Sequence, residues 1–382
     1  MDVYAAVMTG QGVGAIASIG VFGETAQVVL GKVFTRTKGK AADFKQGDIY
    51  VGTIQDGDRV IDQVMVGCEG ENSFAINCHG NPLIVEMIMQ VLSNNGVTPI
   101  TAAELNHKIL AADGNLNAIA IEAKLALPRA KTLAGSKIIA NQIEGGLQKK
   151  VQEWINKTES VSLEQIQIEA GQILRASETA RLIMFGCKAV LAGPANSGKS
   201  TLFNCICGRD KAIVSSIKGT TRDWVSAECV IGNLSVELID TAGVEGTEDD
   251  GAIEKAAQEA SLKSLQEADL VLLVLDGSQP GGIDERLAKA VKQKRVLHVL
   301  NKSDLGVRVN QKFGKSVNIS AKFAENIEEV LTGIEDVCGV RGFDLNQPVC
   351  ITARQKGLLK ELTKADSRDA VSSILNRLLD SD

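Results

Sequence analysis

Residues Gly193-Pro194-Ala195-Asn196-Ser197-Gly198-Lys199-Ser200, followed by Thr201, place two glycines around a short loop that ends in Lys-Ser. Glycines let backbone N–H groups turn toward anionic oxygens, and a helix beginning at Lys199 adds the positive end of its dipole. A lysine and a hydroxyl at the mouth of such a loop suit the β- and γ-phosphates of a nucleotide and a bound Mg²⁺, with Lys199 on the phosphates and Ser200 on the metal.

Three further segments follow in a fixed order. Asp240-Thr241-Ala242-Gly243 offers a carboxylate for Mg²⁺ at the end of an apolar run, and the Gly243 N–H for the γ-phosphate. Thr221, in Gly219-Thr220-Thr221-Arg222-Asp223, supplies a second hydroxyl to Mg²⁺, so Ile217–Asp223 is expected to order around the γ-phosphate and loosen after hydrolysis. Asn301-Lys302-Ser303-Asp304 carries a carboxylate that only accepts, which suits the adjacent N1–H and exocyclic NH₂ of guanine and leaves adenine mismatched. Ser320-Ala321-Lys322 fits a loop backing the base. The four segments together imply a site for GTP and Mg²⁺.

The elements that must position these residues are legible as apolar runs. Lys188–Ala192 reads as a buried strand leading into the loop, and Lys199–Cys207 as a helix ending near Gly208. Asp223–Ile231 and Leu234–Ile239 flank Gly232-Asn233, a hairpin signal. Leu270–Asp276, Val296–Leu300 and Val317–Ile319 then alternate with helical stretches. The implied sheet is mostly parallel, with one antiparallel strand and helices on both faces.

The chain has 382 residues and a formal net charge of −6, which excludes a global basic field for sequence-independent nucleic-acid binding. Aromatics make up 3%, too few for base-stacking platforms to dominate an RNA contact. Lys32, Arg36, Lys38, Lys40 and Lys45 form a local basic stretch read as a solvated loop. Eight cysteines without a C-x-x-C pair suggest no metal cage or disulfide frame. Cys205 and Cys207 look like core residues. No signal peptide and no run of 18 apolar residues is seen, so a cytoplasmic protein with no membrane segment is expected.

Residues 1–115 read as a small α/β domain, with strands at Ala15–Phe22 and Val60–Gly67 and a helix at Leu83–Ser93. Residues 116–183 are helical-bundle material, with apolar spacing in Val151 and Ile155 and in Leu163, Ile166 and Ile168. Residues 184–338 hold the nucleotide motifs. Residues 339–382 return to helix at Gln355–Lys364 and Asp369–Leu379. The nucleotide domain is therefore expected to be inserted into a helical one.

That order of domains resembles the bacterial tRNA-modification GTPase family, known as MnmE or TrmE. The resemblance covers most of the chain and is strongest over Leu191–Asp304. It rests on Asn196, Gly219–Asp223 and Leu238–Gly243, and on Gly10–Val21, Asn72-Ser73-Phe74 and Ile76–Gly80 in the first domain. It implies a multidomain α/β plus α protein whose Ras-like P-loop GTPase domain is inserted in a helical domain. It implies a homodimer formed through residues 1–115, a formyl-folate site there, a flavoprotein partner, and action on wobble uridines of tRNA. It also implies dimerisation of the nucleotide domains with K⁺, held partly by the Asn196 side-chain oxygen.

Val244 stands where Ras-like proteins carry a water-orienting glutamine, and no arginine finger is identifiable; the resemblance implies that K⁺ beside the β–γ bridge supplies the missing charge. By resemblance Glu254 would orient water as the catalytic residue, with Glu248, Asp249 and Asp250 as alternatives and a solvated acidic turn as the bland reading. The family's C-terminal cysteine motif has no counterpart in Leu378–Asp382, Cys350 being the nearest cysteine. Near Asn72–Gly80 a stretch looks deleted, and over Ala102–Leu116 basic residues are reduced to His107 and Lys108. His79 and His107 read as core or surface residues. The alternative function is a relative kept as a GTP-dependent switch or scaffold without modification activity; an ATPase would mismatch Asp304.

Overall fold

The computed structural model describes residues 2–10, 12–37, 44–70, 72–112, 114–156, 160–208, 225–240, 263–280, 285–309 and 313–380, and the elements below are those of the described residues. The chain divides into two compact units, residues 1–121 and 122–380.

The first unit contains β1 (Val3–Val7), β2 (Ile16–Phe22), α1 (Ala26–Val33), β3 (Phe34–Arg36), β4 (Ile49–Asp56), β5 (Arg59–Gly70), β6 (Ser73–His79), α2 (Pro82–Asn94), β7 (Val97–Pro99) and α3 (Ala102–Ala112). The strands form one sheet in the order β3-β4-β5-β6-β2-β1-β7. Period-two burial explains it: Val64, Val66 and Cys68 of β5 and Phe74, Ile76 and Cys78 of β6 point to one core with α1 and α2. The strand expected at Ala15–Phe22 is present one residue shorter, and the strand and helix expected at Val60–Gly67 and Leu83–Ser93 are present with wider bounds. Helix α2 starts where Asn81 accepts from the Leu83 N–H and Pro82 takes the first helical position. In the basic stretch, Arg36 is not simply solvated, because its guanidinium lies 3.7 Å from the Tyr50 ring centroid and 4.8 Å from that of Phe44.

Helix α4 (Ala118–Ala126) carries the chain across the boundary. The second unit continues with α5 (Leu133–Glu144), α6 (Gly146–Asn156), α7 (Leu163–Phe185), β8 (Cys187–Ala192), α8 (Lys199–Cys207), β9 (Val225–Ile231), β10 (Leu234–Asp240), β11 (Leu270–Asp276), α9 (Glu285–Val291), β12 (Arg295–Asn301), β13 (Ser316–Asn318), α10 (Ile327–Cys338), α11 (Ala353–Leu362) and α12 (Arg368–Leu379). Its sheet runs β13-β12-β11-β8-β10-β9, and all neighbours are parallel except β9 with β10. A parallel sheet buried on both faces needs unbroken apolar strands. In β11, Leu270, Leu272 and Val274 enter one core and Val271, Leu273 and Leu275 enter the other.

Helix α11 packs on α7, and α12 packs on α6. Polar staples explain why the returning chain settles there. Gln142, fully buried, accepts from the N–H groups of Leu147 and Val349. Ser177 Oγ accepts from the Cys350 N–H at 2.8 Å. Glu122 accepts from Thr352, Arg354 and Gln355. One expectation is corrected: Val151 and Ile166 are buried, but Ile168 faces solvent because two residues beyond Ile166 on a helix is the opposite side.

Candidate functional site

The site begins where β8, flanked by β10 and β11, delivers the chain to residues 193–198 at the C-terminal edge of the sheet. Open α/β sheets bind ligands at that edge. Two glycines are obligatory. At Gly193, with φ 147°, a Cβ would sit 2.0 Å from the Val274 carbonyl oxygen. At Gly198, with φ 92°, it would sit 2.1 Å from Asn301 Nδ2. Asn196 also has a left-handed φ of 58°, a conformation asparagine adopts more readily than most residues.

Lys199 is only 4% exposed, and its Nζ donates to the carbonyls of Gly193 at 3.0 Å and Pro194 at 2.9 Å. Ser197 is buried, and its Oγ has no hydrogen-bond partner. A buried hydroxyl without a partner costs free energy, so the loop interior is polar and under-satisfied. Ser200 and Thr201 are exposed on the first turn of α8. Asp240, 4% exposed, ends β10 beside Leu191 of β8.

Asn301 joins the loops. It is 3% exposed; its Nδ2 donates to the Ser197 carbonyl at 2.8 Å, and its Oδ1 accepts from the N–H groups of Ala321 at 2.9 Å and Lys302 at 2.8 Å. This geometry makes Asn301 the link between residues 193–198, 301–304 and 320–322. Lys302 has φ 64°. Asp304 lies in a short 3₁₀ turn, Ser303–Leu305, and is exposed, with its Oδ1 accepting from the fully buried Ser320 hydroxyl at 2.7 Å. Lys322 is exposed, and its ammonium lies 5.1 Å from the Phe323 ring centroid.

Sequence reasoning passed over Asp276 and Ser278. Asp276 Oδ2 accepts from Lys302 Nζ at 2.8 Å, and its Oδ1 accepts from the Ser278 N–H and hydroxyl at 3.0 and 2.6 Å. Burial pushes the Asp276 carboxyl up, but the Lys302 ammonium and the two Ser278 donors outweigh it and hold the group below the ordinary range. The signal was present: Asp276 closes an apolar parallel strand just as Asp240 does.

Among the expected residues, Asn196, Ser197, Gly198, Lys199, Ser200, Thr201, Asp240, Asn301, Lys302, Asp304, Ser320, Ala321 and Lys322 surround this edge. Thr220, Thr221, Gly243 and Glu254 lie outside the described residues, as do Val244, Glu248, Asp249 and Asp250. Among the described residues no histidine, cysteine or acidic cluster could hold a metal ion by itself. Cys207 and Cys350 are core residues as far as chemistry is concerned: burial pushes their thiols up to about 11 and about 12. His79, exposed at its ring, is held by Asp62, whose Oδ1 lies 2.7 Å from Nδ1. Among the described residues no helix is long and apolar enough to cross a membrane.

A family model described as "50S ribosome-binding GTPase" matches residues 188–302, and one described as "GTP-binding protein TrmE N-terminus" matches residues 3–109. The tRNA modification GTPase MnmE of Clostridioides difficile is 28% identical over 95% of this chain and 88% of its own length. That of Lactobacillus gasseri is 30% identical over 98% of this chain and 89% of its own length. Among solved structures, Era in complex with MgGDPNP and a segment of 16S ribosomal RNA matches 46% of this chain and 64% of its own, at 24% identity and a TM-score of 0.33. With a relative at 30% identity spanning almost its full length, this chain belongs to the MnmE family of tRNA modification GTPases.

Proposed function

We propose that this protein hydrolyses GTP to GDP and phosphate, in the service of tRNA modification, at the edge built by residues 193–201, Asp240, Asn301–Asp304 and Ser320–Lys322. The observation that carries the reading is Asn301, whose buried amide ties the phosphate loop to both base loops at once. A structural asparagine could serve one loop; three at one sheet edge fit a single ligand spanning them. Asp304, steadied by Ser320, presents acceptors to the two donors of guanine. The Lys302 stem walls the base, and Ala321 and Lys322 close its rim. Lys199 exchanges the Gly193 and Pro194 carbonyls for phosphate oxygens. The backbone of Asn196–Thr201 and the Ser197 hydroxyl take the remaining ones.

The residues present fit Mg²⁺ and K⁺, since each offers oxygen donors to a hard cation. Ser200 and Asp240 would hold Mg²⁺, with Thr221 as a further hydroxyl ligand, and the ion would supply charge neutralisation for the phosphates. The Asn196 side-chain oxygen would contribute to holding K⁺, which would supply positive charge for the developing negative charge. Thr220 would add a nucleotide contact, the Gly243 N–H would face the γ-phosphate and Glu254 would orient water, all three from segments outside the described residues.

Residues 1–115, 116–183, 184–338 and 339–382 are the domains of this reading, the third inserted between the two helical parts, in a cytoplasmic protein. Homodimerisation through residues 1–115 is supported by an apolar sheet face, since Ile49, Val51 and Met65 are 70%, 46% and 43% exposed and Val51 sits opposite Met65. The formyl-folate site of this reading is a cleft of about 300 Å³ lined by Arg36, Thr37, Ile49, Tyr50 and Val51, where Arg36 offers a cation and Tyr50 a ring. A flavoprotein partner and tRNA itself complete the family's context.

The test is GTP turnover by the full chain with Mg²⁺ in KCl and in NaCl, over a range of protein concentrations. Turnover rising with K⁺ and with concentration supports the reading. Tight GTP binding with negligible turnover in both salts would replace it with a nucleotide-dependent switch.

A further inference from the structure

The Asp276–Lys302 pair has a precise support that hydrolysis does not explain. Asp276 and Asn301 are register partners at the C-terminal ends of β11 and β12. Gly277 donates its N–H to the Asn301 carbonyl at 2.7 Å, and the Arg308 N–H donates to the Gly277 carbonyl at 2.7 Å. Residues 276–278 therefore form a rack behind 301–304. The carboxylate is fixed on one side by both donors of Ser278 and is aimed on the other at a lysine whose own backbone is left-handed. A lysine stem has four rotatable bonds and much rotamer freedom to lose. Pinning its ammonium at 2.8 Å removes that freedom before nucleotide arrives.

We infer that Asp276 is a positioning residue for nucleotide retention: by holding the Lys302 ammonium it keeps the lysine stem standing as a wall of the base pocket, and so sets how long GTP and GDP stay bound. The inference rests on the assignment of residues 301–304 as the guanine site. Asp276 touches no nucleotide atom in this scheme and acts only through Lys302. The pre-ordered wall lowers the cost of binding, and its loss appears in the dissociation rate rather than in the association rate.

The experiment is stopped-flow release of a fluorescent N-methylanthraniloyl GDP from the full chain. Asp276→Asn keeps the size of the side chain and an acceptor for Ser278 but removes the charge that holds Lys302. Losing one charge-assisted hydrogen bond should raise the dissociation rate about tenfold. Lys302→Met should raise it by a similar factor. The double variant should be no faster than the faster single one, because both changes remove the same pinned wall. A role confined to loop stability would instead give multiplied effects and a lower melting temperature without nucleotide. Should Asp276→Asn not fold, Ser278→Ala, which frees the carboxylate to swing away, should raise the rate about threefold by the same route. Asp304→Asn separates the two levels. If it speeds release while Asp276→Asn does not, the positioning role is overturned and the base site stands. If neither speeds release, the base-site reading fails first.

Discussion

Asn301→Ala tests the architecture of the site most sharply. The side chain is 3% exposed, and its removal strands the Ser197 carbonyl and the N–H groups of Lys302 and Ala321. Each unsatisfied buried group costs about 1 kcal/mol at the lower end, so three cost about 3 kcal/mol if solvent does not reach them. That corresponds to about a hundredfold in an equilibrium constant. The loss falls on the joined loops rather than on the sheet, so it should appear as local opening. Hydrogen exchange followed by mass spectrometry should show the amides of Lys302 and Ala321 exchanging about a hundredfold faster without nucleotide, with amides in β8 and β11 unchanged. GDP affinity should fall by a similar factor. If affinity fell while both amides kept their protection, Asn301 would be a direct ligand contact and not the link between loops. If neither changed, the link would carry no energy.

Other expectations follow from the same structure. Gly198→Ala should abolish GTP binding, since a Cβ at φ 92° would meet Asn301 Nδ2 at 2.1 Å; equilibrium dialysis at millimolar GTP measures it, and retained binding would contradict the loop geometry. Gly357→Ala, in α11 with nothing within 4 Å, should stabilise the protein by about 0.5–1 kcal/mol, read as a raised melting temperature. Glu169 accepts from Trp154 Nε1 at 2.7 Å and pairs with Lys150 at 2.8 Å; burial raises its carboxyl, but Lys150, Gln165 and Trp154 together hold it below the ordinary glutamate value of 4.5. A depressed native pKa means stability that is complete above 4.5 and lost as pH falls through the native value, so acid unfolding scans of Glu169→Gln should show a shallower loss below pH 4.5 than the parent. Cys350 should resist thiol reagents in the native protein and react only on unfolding, because burial pushes its thiol up to about 12; rapid native labelling would refute that burial.

The sheet that carries the site was almost fully legible. Buried parallel strands need continuous apolar runs, and Leu270–Leu275 or Val296–Leu300 can hardly be read otherwise. Helix α8 was equally plain, between Gly198 and Gly208. The first unit was harder: β1, β3, β4, β6 and β7 are short or carry polar residues such as Thr53 and Asn77 on their other face, and their pairing depends on partners far along the chain. Within the proposed site, residue types point to Lys199 and Asp304 because an ammonium suits phosphate and a carboxylate suits the donors of guanine. Asn301 reads as a nucleotide-site residue from its motif, and that its amide also joins three loops is visible only in the fold. Asp276 and Ser278 escaped because a residue that steadies another has no motif of its own; only the pairing of β11 with β12 brings it beside Lys302.

The measurement that bears most directly on the central claim is a change of base preference at Asp304. An aspartate accepts from both N1–H and the exocyclic NH₂ of guanine, whereas an asparagine amide can donate to the C2 carbonyl of xanthine. The full chain, with Mg²⁺ and KCl, should hydrolyse GTP and leave xanthosine triphosphate nearly untouched. Asp304→Asn should lose GTP turnover at low substrate and gain turnover of xanthosine triphosphate. GTP turnover by Asp304→Asn equal to that of the parent would contradict the claim that this sheet edge is where the protein binds and hydrolyses GTP.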